Sequence, residues 1–146
     1  MRVLLQRVSK ASVSVEGKVL GEISRGLLLL TGFGKGDDES KLLPMLEKII
    51  NFRIFPDEKG RFDKSVLDIG GEILVVSQFT LYADTTKGRR PDFFNALEPD
   101  KARALCDSFV ELLKAKGIAK VACGEFGAHM FVNLENDGPV TIMLEQ

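Results

Sequence analysis

Gly70-Gly71-Glu72-Ile73-Leu74-Val75-Val76-Ser77-Gln78-Phe79-Thr80-Leu81-Tyr82-Ala83-Asp84 is the stretch on which the reading of the chain turns. Ile73 to Val76 form an unbroken apolar run behind a glycine pair, the pattern of a strand covered on both faces. The run stops in the hydroxyl and amide side chains of Ser77, Gln78 and Thr80. Read from the residues alone, these groups either end a strand, as polar residues commonly do, or are presented by a rigid element to a ligand.

Upstream, strands are expected over Val3 to Val8, Ala11 to Val15, Val19 to Ile23 and Leu27 to Phe33. The turns Glu16-Gly17-Lys18 and Ser24-Arg25-Gly26 are too short for anything but antiparallel neighbours. Gly32-Phe33-Gly34-Lys35-Gly36 lacks the spacing and the Gly-Lys-Ser/Thr ending of a phosphate loop and reads as a plain strand-to-helix connection. A helix starts near Ser40, with Leu42, Leu46, Ile49 and Ile50 on one face and Pro44 tolerated in its first turn. Phe52 to Phe55 alternates as a strand, and Ser65 to Ile69 is a weaker candidate.

Downstream, the segment from Tyr82 to Pro99 is irregular and carries Lys87, Arg89 and Arg90 beside Phe93 and Phe94. Its charges suit either a solvated surface or contact with phosphates and stacked bases. Pro99 opens a second helix, whose apolar stripe Ala102, Leu105, Cys106, Phe109, Leu112 and Leu113 ends at Gly117. Val121 to Cys123, Met130 to Leu134 and Val140 to Leu144 read as closing strands, the last two joined by a turn at Asn136-Asp137-Gly138-Pro139. On residues alone Pro139 reads as a trans proline opening an edge strand, although a cis bond is open to it.

The 146 residues suit one domain, residues 1–146, with a core large enough to need no disulfide or metal. Cys106 and Cys123 stand far apart without a Cys/His cluster and are expected as reduced packing residues. A net charge of −1 argues against blanket attraction to nucleic acid but leaves contact with a nucleic-acid end open. Neither a membrane span nor a secretory leader is evident, so a cytoplasmic location is expected. His129 is the only histidine. It reads as structural, because no second catalytic group lies near it in sequence.

Two stretches together, Ser77-Gln78-Phe79-Thr80-Leu81 and Asn136-Asp137-Gly138-Pro139-Val140-Thr141, resemble the signature motifs of the D-aminoacyl-tRNA deacylases, formerly D-tyrosyl-tRNA deacylases. Gln6-Arg7-Val8, Phe52 to Phe55, Gly70-Gly71 and Arg90-Pro91 with Phe93 extend the resemblance along the chain. It implies an α+β fold, a curled and mostly antiparallel sheet or barrel with two covering helices, assembled as a homodimer. The implied activity is hydrolysis of the ester between a D-amino acid and the 3′ adenosine of tRNA, without metal or other cofactor. The resemblance further implies that Ser77, Gln78, Phe79 and Thr80 line the catalytic pocket. Gly138 and Pro139, joined by a cis bond, would enter the partner's pocket to reject L-amino acids. Met130 would line the pocket, and Arg7, Lys87, Arg90 and Phe93 are candidate tRNA contacts. Tyr82 stands where the family frequently has a small residue, and His129 where an acidic one is frequent.

Ester hydrolysis requires a placed water, donors for the oxyanion and a route for the proton. Thr80 is the hydroxyl to which the family assigns a nucleophilic role, yet a Thr nucleophile needs an adjacent base and the sequence supplies none. The reading favoured here places the ester carbonyl on the backbone around Gln78 and lets the ribose 2′-hydroxyl help activate water. Two other functions fit less of the chain. One is a non-catalytic RNA-end module using Lys87, Arg89, Arg90, Phe93 and Phe94, and the other is a different small-ester or amide hydrolase.

Overall fold

The computed structural model describes residues 1–146. Its scaffold is a curled sheet of six strands: β1 (Arg2–Val15), β2 (Lys18–Ile23), β3 (Gly26–Gly32), β6 (Glu72–Ser77), β7 (Val121–Cys123) and β8 (Phe131–Glu145). Along the sheet the order is β2-β1-β3-β6-β7, with β8 on the other side of β1. The pairings of β1 with β2, β3 and β8 are antiparallel. The central strand β6 instead runs parallel to both β3 and β7. The two parallel crossovers hold the helices α1 (Leu42–Ile50) and α2 (Pro99–Lys114), as parallel neighbours require.

Both faces of β6 are covered, as its unbroken apolar run demands. Ile73 and Val75 join the larger core cluster with Leu27, Leu29 and the helices, and Leu74 and Val76 join a smaller one with Leu28, Val8 and Val13. Helix α1 buries Leu42, Met45, Leu46, Ile49 and Ile50, and α2 buries a stripe from Ala102 to Leu113. Pro99 occupies the first turn of α2, where its missing N–H costs nothing. At the other helix, Asp38 accepts the Ser40 N–H and caps a 3-10 turn over Glu39–Lys41, so α1 proper starts at Leu42 and not at Ser40.

Several local expectations need correction. The first two expected strands are one continuous β1. Phe52 to Phe55 contributes only β4 (Phe55–Pro56), paired with β5 (Phe62–Lys64), because Ile54 and Phe55 turn into the core. Ser65 to Ile69 forms a turn closed by Ile69 N–H on Ser65 O and Gly70 N–H on Leu67 O. Cys106 is buried, and burial pushes its thiol up to about 11, but Cys123 is exposed.

The largest difference lies in the closing strands, which are not a hairpin. Both belong to β8, which pairs with β1 over nearly its whole length. Gln6 faces Thr141 and Val8 faces Asn136, so Arg7 alone stands opposite four residues, Asp137 to Val140. The motif read as a turn is therefore a wide bulge, the device by which a strand changes twist and re-aims its side chains. Side chains change faces across it. On one side Val3, Leu5, Val140 and Leu144 enter the larger cluster, and on the other Val8, Ala11, Val13 and Val132 belong to the smaller.

Candidate active site

Strands β3 and β6 end together at Gly32 and Ser77, and the chain leaves both on the same edge of the sheet. A cavity of about 720 Å³ opens there, at the carboxyl ends of parallel strands where α/β sheets commonly bind ligands. Its floor is Thr31, Val76, Ser77 and Gln78. Phe33, Phe79, Phe93 and Phe94 supply aromatic walls, and Met130 with Val132 closes the far side. Lys35, Glu98 and His129 are the ionisable groups on its lining.

Gln78 is held in place through its backbone. Its N–H donates to Thr31 O at 2.8 Å, continuing the β3 to β6 ladder one residue beyond the strand. The next residues turn at once into a 3-10 helix, Phe79–Tyr82, closed by Leu81 N–H on Gln78 O and Ala83 N–H on Thr80 O. The amides of Phe79 and Thr80 lie ahead of the first such bond and have no partner within the helix. Around Gln78 the N–H groups without a partner are therefore those of Phe79 and Thr80, because the Gln78 amide is already engaged, and of the two residues Phe79 lines the cavity. The Gln78 side-chain amide donates to Thr80 Oγ1. Thr80 is exposed and does not line the cavity, and neither histidine nor lysine bonds its hydroxyl.

Phe93 reaches the site from the long irregular segment and packs edge-on against Phe79, with ring centroids 4.9 Å apart. Lys87 and Arg90 lie in the adjoining loop, whose base is closed by the reciprocal bonds of Asp84 and Asp92 at 2.7 and 2.9 Å. Both are exposed and neither lines the cavity. Lys35 Nζ stands 3.1 Å above the centre of the Phe94 ring. The connection from Gly32 to Lys35, read from sequence as a plain loop, therefore forms one wall. Phe126 to Ala128 forms another wall that no sequence pattern announced.

Gly138 and Pro139 are not among the residues lining this cavity. They are exposed at the crest of the β8 bulge, joined by a cis peptide bond. Arg7, a candidate tRNA contact on sequence, lies beneath them and is 6% exposed. Its Nε donates to Asp137 O at 3.2 Å and pairs with Asp137 Oδ2 at 3.1 Å, and its Nη1 donates to Ile54 O at 2.5 Å. Asn136, turned so that each polar atom finds a partner, donates to Val140 O at 3.1 Å and Arg7 O at 3.0 Å and closes the base of the bulge. Gly138 has φ +125°, and an added Cβ would stand 2.8 Å from Val140 Cγ2 and 3.1 Å from Arg7 Nη2. Only glycine fits there.

The chain matches the family model described as D-Tyr-tRNA(Tyr) deacylase over residues 4–145. It is 57% identical over 145 residues to a D-aminoacyl-tRNA deacylase of Roseiflexus castenholzii, covering 99% of this chain and 92% of that one. A D-aminoacyl-tRNA deacylase of Thermosipho melanesiensis is 52% identical, with 99% and 97% covered. Among solved structures, a protein named c-Myc DNA Unwinding Element Binding Protein superposes with a TM-score of 0.93 at 43% identity, over 100% of this chain and 99% of that one. A probable eukaryotic D-amino acid tRNA deacylase shares the fold at a TM-score of 0.81 and 20% identity, over 98% and 97%.

Removing the Arg7 guanidinium strands the Ile54 carbonyl and loosens both ends of the bulge. Arg7→Met is expected to lower unfolding free energy by about 3 kcal/mol, the low end for a broken buried pair because Asp137 is half exposed. Arg7→Lys should recover only part of that, since an ammonium cannot reproduce the planar fork. Urea denaturation measures both, and a loss under about 1 kcal/mol for Arg7→Met would show the bulge to be held by other contacts.

Proposed function

The chain belongs to the D-Tyr-tRNA(Tyr) deacylase family and hydrolyses the ester of D-aminoacyl-tRNA, and from that premise we propose how its residues divide the work between two subunits. The observation that carries the proposal is the separation of the two motifs. The cavity at Ser77 to Phe79 lacks Gly138 and Pro139, while the bulge displays those two residues outward. A homodimer in which each bulge enters the other subunit's cavity unites them. The free edge of β8 and its exposed Phe131, Leu134 and Met143 supply apolar surface for such an interface.

In this reading residues 1–146 act as one domain, in the cytoplasm, where charged tRNA is found. The 3′ end of the tRNA enters the cavity past the exposed loop bearing Lys87 and Arg90, and Phe93 and Phe79 offer apolar faces to the terminal adenosine. The Phe79 and Thr80 N–H groups receive the ester carbonyl and stabilise the oxyanion as water adds. The new carbon–oxygen bond forms from water, the bond to the ribose 3′-oxygen breaks, and the neighbouring 2′-hydroxyl relays the proton to that leaving oxygen. Thr80 then needs no base: its hydroxyl accepts the Gln78 amide and steadies the turn.

Chiral selection follows from exclusion. The side chains of D-amino acids are too varied for one pocket to recognise, so rigid backbone groups must read the α-carbon instead. Carbonyls of Gly138 and Pro139 placed where an L side chain would point reject every L substrate on the same ground. Met130, on the cavity wall, bounds the space left for the D side chain. The protein thereby serves as a proofreading step that clears wrongly handed amino acids from tRNA.

Two outcomes are expected. Thr80→Val should keep turnover within about tenfold of the parent, whereas a nucleophile would lose several orders of magnitude; single-turnover cleavage of D-aminoacyl-tRNA decides between them. Offered alongside, glycyl-tRNA should be cleaved and L-alanyl-tRNA left intact. An enzyme that spares both equally would need a positive contact with the D side chain, contrary to exclusion.

A further inference from the structure

A four-residue 3-10 turn has poor hydrogen-bond geometry and cannot by itself keep the Phe79 and Thr80 amides in place. The support comes from Tyr82 at its far end. The Tyr82 ring lies in space left open by Gly34, where an added Cβ would overlap the ring carbons and stand 2.9 Å from the hydroxyl. At Gly32 a Cβ would meet Gln78 O at 2.8 Å and Tyr82 Cδ2 at 3.4 Å. Neither glycine has a positive φ, so room rather than conformation requires them.

The hydroxyl of Tyr82 donates to Asp37 Oδ2 at 3.2 Å, and the same oxygen accepts the Gly34 N–H at 2.6 Å. The other carboxylate oxygen of Asp37 accepts from the Met1 ammonium at 2.6 Å, which fixes the carboxylate. The Arg2 guanidinium carbon stands 4.6 Å from the centre of the Tyr82 ring, while Arg2 Nη1 donates to Leu81 O at 2.8 Å inside the turn. Burial, and next Asp37, push the Tyr82 hydroxyl far above its ordinary value, so it stays a neutral donor.

We propose that Tyr82 is a positioning residue for ester hydrolysis: seated against Gly34 and tied to Asp37, it holds the 3-10 turn so that the Phe79 and Thr80 amides meet the ester carbonyl. This inference rests on the assignment of those two amides as oxyanion donors. It also gives the glycines of the Gly32 to Gly34 connection a purpose, since they leave the space in which Tyr82 sits.

The test combines amide hydrogen exchange with steady-state kinetics on D-aminoacyl-tRNA. In Tyr82→Ala the Leu81 and Ala83 amides should exchange at least about tenfold faster, and kcat should fall about ten- to a hundredfold with KM within about twofold, as expected when a reacting group is misplaced by an ångström or less. Tyr82→Phe, which keeps the ring against Gly34 but loses the tie to Asp37, should fall between the parent and Tyr82→Ala, about three- to tenfold below the parent in kcat. Gly34→Ala should resemble Tyr82→Ala, and adding it to Tyr82→Ala should cost nothing more, because the two act through one contact. Unchanged exchange and kcat in Tyr82→Ala would overturn the proposal, as would a lower melting temperature alone. Faster exchange with unchanged kcat would keep the clamp but refute the oxyanion assignment, and with it the positioning role.

Discussion

Arg7 places a guanidinium where three segments meet: the middle of β1, the Ile54 carbonyl ahead of β4, and the Asp137 end of the β8 bulge. Opposite it, four residues of β8 occupy the space of one; the buried cation satisfies the Asp137 carbonyl there and the Ile54 carbonyl beside it, while Asn136 takes those of Val140 and Arg7. Both strands exchange the faces they bury across the bulge, so one pair of strands serves two clusters of core residues. The same distortion pushes Gly138 and Pro139 into the open, out of reach of their own chain's cavity.

In the proposed reading the chemistry at the cavity draws on the backbone more than on side chains. Parallel pairing of β3 with β6 continues through the Gln78 amide, and the abrupt turn that follows leaves two N–H groups without partners beside an apolar cavity. Donors fixed before the substrate arrives need not reorganise when charge develops on the ester oxygen, and the apolar wall strengthens the interaction. In that reading these two amides polarise the carbonyl. This requires that the turn not move, which is why the packing around Tyr82, Gly34 and Arg2 bears on the chemistry.

Much of this was legible in the sequence where one physical rule dominated. The apolar run at Ile73 to Val76 behind its glycine pair had the pattern of a strand covered on both faces, and the stripe from Ala102 to Leu113 that of a helix against the core. The break at Ser77 to Thr80 left a polar strand end and a ligand site equally readable, and the family resemblance, not the break itself, singled out the second. What escaped was long-range. Asn136 to Pro139 has the composition of a hairpin turn, and only its pairing with β1 makes it a bulge. Arg7 is named from sequence as a candidate tRNA contact, and its enclosure by Ile54 and Asp137 shows only in the fold. Gly32 and Gly34 read as loop residues because the ring that needs their space is far away in sequence. Gln78 could be placed at the site, but the loss of its amide to Thr31 is visible only once β3 and β6 are paired.

The central claim is that each active site is assembled from the cavity of one subunit and the bulge of the other. A mixed dimer of one Phe79→Pro subunit, which lacks a proposed oxyanion donor, with one Gly138→Ala subunit tests it most directly, purified by two different tags and assayed on D-aminoacyl-tRNA beside both parent homodimers, each of which should be inactive. One of its two sites would combine an intact cavity with an intact bulge, so about half of normal turnover should return. A mixed dimer that forms stably and remains as inactive as its parents would contradict the account.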